Sequence, residues 1–184
     1  AAAALANLAS DSSDNRSSIV EAGGIAPLLA LLESASFKAR EKALGAISHL
    51  AHNHGIQEAI AAAGGIPLLA NALASTGNVK EAKGFEELYS LSAFAVAQMA
   101  SGNRANQLGL AEAGAITPLV SMLGSPQPEM QANAAGALAA LAHENNENQS
   151  AIARTGAIAP LCALTREGTP RVKEQSASAL WALA

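Results

Sequence analysis

The chain is poor in nearly everything that marks a chemical site. It holds one cysteine in 184 residues, so no internal disulfide can form and a reducing compartment fits best. Only 3% of it is aromatic and 14% charged, although half is hydrophobic. Acids outnumber bases, 15 to 11, which disfavours a nucleic-acid binder of the basic-patch type. Every apolar run is cut by Glu, Asn, Gln or Pro, and a membrane span needs about 18 uninterrupted apolar residues. The start, AAAALANLAS, has no basic region of the kind that opens a signal peptide. It reads instead as the last turns of a helix, and the chain is expected to be a fragment of something longer. The apolar half is mostly Ala and Leu, which is helix-forming material and too apolar for an intrinsically disordered chain.

What is present is repetition. Four segments are alike: EAGGIAPLLALL at 21–32, AAGGIPLLANAL at 62–73, EAGAITPLVSML at 112–123 and RTGAIAPLCAL at 154–164. Their first glycines are Gly23, Gly64, Gly114 and Gly156, in steps of 41, 50 and 42. A second series is AAAALANLA, KALGAISHLA, SAFAVAQMA, AAGALAALA and SASALWALA. Its penultimate residues are Leu8, Leu50, Met99, Leu141 and Leu183, in steps of 42, 49, 42 and 42. Each unit carries the same punctuation. A short amphipathic stretch is broken by Gly, which tolerates the left-handed geometry that ends a helix. Pro27, Pro67, Pro118 and Pro160 then open apolar runs, since proline is at home in a helix's first turn. A polar turn and a longer Ala-rich helix complete the unit. Three helices per roughly 42 residues fall within the range of armadillo and HEAT arrays.

On these residues the chain resembles the armadillo repeat family, through "AGGI-PL-LL" in the second helix and "AAGALxNLA" in the third. The Ala-rich "AAGAL" is similar to plant or protist members more than to importins. The resemblance implies an all-α, armadillo-type α-solenoid, a right-handed superhelix whose third helices line a concave groove. The expected organisation is one domain over 1–184: a partial third helix at 1–10, then repeats at 11–52, 53–101, 102–143 and 144–184. The second repeat carries seven extra residues within ASTGNVKEAKGFEELYS. Seven residues are about two helical turns, so a lengthened third helix would keep its facing. Phe85, Tyr89 and Phe94 gather there; they are read as locally packed, with an aromatic rim on the groove as the sharper alternative. Neither end has polar capping. Trp181 and Leu183 should pack on a following repeat, and such surfaces invite end-to-end self-association.

Peptide-binding members share a ladder of Asn on the third helix. An amide carries donors and an acceptor, so it matches a peptide unit whatever the side chain. Here that position reads Asn7, His49, Gln98, Ala140 and Ala182. One turn earlier, where importin-like repeats carry Trp, stand Ala3, Gly45, Phe94, Gly136 and Ser178. Nuclear-localisation-signal binding is therefore doubtful. Two turns earlier lie Lys42, Leu91, Asn133 and Gln175. The candidate partner-binding residues are Asn7, Lys42, His49, Phe94, Gln98, Asn133 and Gln175. Each can equally be a tolerated surface position, and Lys42 is the one most readily read as merely solvated.

His49, His52 and His54 suggest a metal cluster, but no Cys or carboxylate lies at the usual local spacing, and His is favoured at helix ends in any case. Cys162 reads as a small buried hydrophobe. No phosphate-loop, dinucleotide, nucleophile-elbow or zincin motif occurs, so neither catalysis nor a cofactor is expected. The reading is an intracellular module, cytoplasmic or nuclear, that binds an extended peptide or helix of a partner protein and neither nucleic acid nor membrane. The alternative is a scaffold or spacer within a larger armadillo protein, assembling through its ends or convex face.

Overall fold

The computed structural model describes residues 7–9, 12–75 and 85–184. Residues 7–9 are helical. Twelve helices follow among the described residues, in four triplets. These are α1 (Ser13–Glu21), α2 (Ile25–Leu31) and α3 (Phe37–Leu50); α4 (His54–Ala62), α5 (Gly65–Ser75) and α6 (Phe85–Ala100); α7 (Arg104–Glu112), α8 (Ile116–Met122) and α9 (Pro128–Ala142); α10 (Asn146–Arg154), α11 (Ile158–Glu167) and α12 (Pro170–Leu183). Among the described residues no single helix is long and apolar enough to cross a membrane.

Local chemistry sets the boundaries. The first helices start on side-chain caps: the oxygens of Ser12, Asn53, Asn103 and Asn145 accept from the backbone N–H two or three residues on, satisfying a donor that the helix itself cannot. They stop at Gly23, Gly64, Gly114 and Gly156, all with φ between +74° and +90°. The prolines predicted to open the second helices sit in their first turns, where the missing N–H has no intrahelical acceptor to lose. Pro128 and Pro170 start α9 and α12.

The two sequence series disagree by one residue because one turn is shorter. Between α3 and α4 the chain turns through Ala51–Asn53 without a left-handed residue. The corresponding turns after α6 and α9 each insert one, Gly102 (φ 64°) and Glu144 (φ 53°).

The third helices α3, α6, α9 and α12 pack side by side as one layer, with α12 also resting on α11. Their contact faces are built from small residues. Ala43, Ala46, Ala93, Ala95, Ala134, Ala135, Ala137 and Ala179 have no exposed surface, beside Leu44, Leu50, Met99, Leu138 and Leu141. Alanine at these positions lets neighbouring helix backbones approach, while the Leu and Met side chains fill what remains.

Of three expectations, one changes, one agrees with the structure and one lies outside the described residues. The described part of the second unit's third helix, α6, has 16 residues against 14 or 15 in the others, and the expected two-turn lengthening lies outside the described residues. Most of the extra residues fall at 76–84, outside the described residues. Cys162 is half-buried, not enclosed, because it faces away from the buried Leu161 and Leu164. Phe85 and Tyr89 are buried and lie 5.7 Å apart. They line an apolar cavity of about 650 Å³ with Leu73, Pro118, Met122 and Met130, at the N-terminal ends of α6 and α9. Only Phe94 of the three aromatics reaches the groove.

Glycine tests this account with two opposite signs. At Gly114 a methyl group would meet open space, so Gly114→Ala costs only the left-handed backbone, about 1–2 kcal/mol. Gly45 also has open space but lies inside α3, so Gly45→Ala gains about 0.5–1 kcal/mol. Urea unfolding of the two variants checks both signs.

Candidate functional site

The third-helix layer bears an open trough. Phe94 and Gln98 of α6 stand on one wall, Arg171 and Gln175 of α12 on the other. Gly136 and Ala140 of α9 form the floor, and the Gln175 amide lies over Gly136, its Oε1 2.7 Å from where a Cβ would stand. This part encloses about 300 Å³. It continues past Gln175 into a second hollow of about 240 Å³ beside Ser178, His143 and Trp181. The His143 and Trp181 rings lie 5.9 Å apart, and Trp181 is 72% exposed.

Four of the seven predicted residues, Phe94, Gln98, Asn133 and Gln175, meet in this trough. The side-chain amides of Gln98 and Gln175 hydrogen-bond to none of the described residues and are available to a ligand. Asn133 is different. It is buried; its Nδ2 donates to Ser90 Oγ at 2.8 Å and to the Ser90 carbonyl at 3.3 Å. Its Oδ1 accepts from Arg171 Nη2 at 2.9 Å. Asn133 therefore shapes the wall and has no amide to offer.

Asn7, Lys42 and His49 belong to the preceding third helices and do not line the trough. Asn7 is exposed. Lys42 pairs with Glu41, and the ammonium hydrogen-bonded to that carboxyl holds Glu41 below the usual carboxylate range while raising Lys42. His49 stacks on His52 with centroids 6.3 Å apart, and His52 Nδ1 donates to the Ser48 carbonyl at 3.1 Å. His54 points to Glu58, 3.6 Å away. The three histidines thus turn to local partners.

Sequence reasoning missed two things. The first is Arg171. Its register position carries a charge in every unit, namely Lys38, Glu87, Glu129 and Arg171, and that recurrence was the available signal. The second is a ladder of amides on the first helices, facing inward. Gln57 Nε2 donates to the carbonyls of Ala51, Gln98 and Ser101 at 3.0, 2.8 and 3.2 Å. Gln107 Nε2 donates to Ala140 and His143 at 2.9 and 3.2 Å. Gln149 Nε2 donates to Ala142 and Ala182 at 3.1 and 2.9 Å. In the first unit Arg16 takes the same place and donates to Ala9 at 2.9 Å. Two of the three Asn caps then reach back: Asn103 Nδ2 donates to Gln57 Oε1, and Asn145 Nδ2 to Gln107 Oε1. The last carbonyls of a helix have no partner within it; here glutamine from a neighbouring helix supplies one. The spacing N-x-x-x-Q at 53–57, 103–107 and 145–149 was its trace in the sequence.

Comparison with known proteins agrees with this geometry. The family model described as Armadillo/beta-catenin-like repeat matches residues 12–52, 108–143 and 145–184. The unit with the extra residues falls largely outside these matches. No curated protein matches the chain. Among solved structures, a designed armadillo repeat protein is 30% identical, with 98% of this chain and 73% of that chain covered and a TM-score of 0.89. An engineered protein is also similar at 30% identity, covering 99% and 71%, with a TM-score of 0.89. A further designed armadillo repeat protein, described as in complex with the peptide (KR)4, is 31% identical over 98% and 73%, with a TM-score of 0.86.

Gln107→Ala strips two helix-end carbonyls and the Asn145 amide of their partner in the interior. It is expected to cost about 2–3 kcal/mol in urea unfolding. Gln149→Ala, at a half-exposed site where water can substitute, should cost less than half of that.

Proposed function

This chain belongs to the armadillo/β-catenin-like repeat family, and from that premise we propose that it is a protein-interaction module. It holds an extended peptide, or a helix, of a partner protein along the concave groove of its third helices. The observation that carries this reading is the pair of unspent amides, Gln98 and Gln175, facing each other across a floor of Gly136 and Ala140. The missing side chain at Gly136 leaves the space that the Gln175 amide now fills, and a peptide backbone can take that place as the amide turns to pair with it. Amides on both walls can then donate to and accept from its peptide units without reading side chains. Phe94, half-buried on the wall, offers an apolar anchor. The groove is already formed, so little reorganisation opposes binding. A similar designed protein described in complex with a peptide supports the same use of the fold. Ala140 and Ala182 add no polar group, which concentrates backbone pairing in the trough on Gln98 and Gln175. The single half-buried cysteine suits an intracellular, cytoplasmic or nuclear setting.

A second reading, a scaffold that assembles through its own copies, rests on the exposed Leu8, Ile158 and Trp181. It requires sedimentation that depends on protein concentration and reverts in Trp181→Ser.

The groove reading is tested by panning a displayed library of short random peptides on the protein and on an Asn7→Ala/Phe94→Ala/Gln98→Ala variant. Gln98 enters the internal ladder only through its carbonyl, so its change leaves that ladder intact, and circular dichroism checks that the triple variant is folded. The expected result is a shared motif that binds the parent at least about tenfold more tightly. No enriched motif, or one indifferent to the three changes, overturns the reading.

A further inference from the structure

We propose that Arg171 makes this groove a reader of carboxylate side chains, so that the partner segment carries an Asp or Glu seated against its guanidinium. This rests on the groove reading above and names the chemistry of its ligand. Arg171 sits on the trough wall beside Gln175, half-exposed. Its Nη1 donates to Glu129 and its Nη2 to Asn133 Oδ1. Asn133 is in turn fixed on Ser90. The guanidinium is therefore held across α6, α9 and α12 before any ligand arrives. A guanidinium has five N–H donors; two are engaged, and the rest remain for a ligand. Fixing the fork in advance lowers the ordering cost that a flexible lysine would incur.

Charge in the trough points the same way. Among the described residues, no carboxylate lines either hollow, and the titratable groups there are Arg171 and His143. The nearest acids lie outside it, toward the N-terminal ends of α6 and α9. Glu129 is engaged by Arg171, Glu86 Oε1 accepts from Gln127 Nε2 at 3.4 Å, and Glu87 acts on Lys42. A basic side chain entering the trough would meet the Arg171 cation, whose paired carboxylate, Glu129, lies outside the lining. An acidic one would meet the unspent N–H donors of Arg171. The similar designed protein described with (KR)4 binds a peptide of the opposite sign, so the fold alone does not fix this preference.

The probe is a set of three displayed libraries of short random peptides, enriched respectively in Asp/Glu, in neutral residues and in Lys/Arg. Peptides selected by the parent are then remade with each Asp→Asn or Glu→Gln change. Binding is measured by fluorescence anisotropy on the parent, Arg171→Gln and Glu129→Gln. The expected selection is from the Asp/Glu library. Neutralising one carboxylate in the peptide should weaken binding to the parent about three- to tenfold, and that difference should vanish on Arg171→Gln. Glu129→Gln removes the competing carboxylate and should tighten the acidic peptide. A merely structural Glu129–Arg171 tie would instead weaken binding in both variants, which overturns the proposal. Selection from the Lys/Arg library, or acidic peptides indifferent to Arg171→Gln, overturns it while leaving the groove reading intact. Selection from no library removes the groove reading, and this inference with it.

Discussion

The structure depends on one requirement: the carbonyls at the ends of the third helices must find donors in a place that water does not reach. Short helices stacked side by side bring these ends together in the interior. An unpartnered buried carbonyl costs about 1–3 kcal/mol, so four such ends left bare would consume much of a domain's net stability. Gln57 and Gln107 meet this requirement while almost completely buried. Gln57 and Gln149 each join the end of one third helix to that of the next. The same bonds that satisfy the helix ends therefore also set how successive units sit on each other.

That internal ladder explains how the groove stays free. The positions whose carbonyls are taken, Gln98, Ala140 and Ala182, are the very positions that line the trough and its continuation. The backbone works inward and the side chain outward. Side chains at these positions can thus vary between Gln and Ala without loosening the stack. The outward register accordingly reads Gln98, Ala140 and Ala182 in the last three units, while the inward register holds Gln57, Gln107 and Gln149 after Arg16.

Much of the fold was legible because punctuation is local. Gly23, Gly64, Gly114 and Gly156 all take the left-handed conformation that their spacing implied. Asn caps and first-turn prolines act over three or four residues and need no tertiary knowledge. The trough was partly legible: Phe94, Gln98 and Gln175 follow from counting turns back from the end of each third helix. What counting could not give was partnership. Asn133 and Gln175 share a register position, yet Arg171 and Ser90 occupy the first and leave the second open. Lys42 likewise turns to its neighbour Glu41. Phe85 and Tyr89, read as locally packed, are buried near the start of α6 and line a hollow apart from the trough. Such choices are made by long side chains across unit boundaries, which a repeat period does not encode.

The central claim is that this protein carries two sets of amides, one spent internally on helix ends and one held out to a partner. The most direct measurement is a heteronuclear NMR titration of side-chain amides with a peptide selected on the protein. The account predicts that the Gln98 and Gln175 amide signals shift as peptide is added, while those of Gln57, Gln107, Asn145 and Asn148 stay in place. Shifts confined to the first helices, or a peptide that leaves Gln98 and Gln175 unmoved, would contradict it.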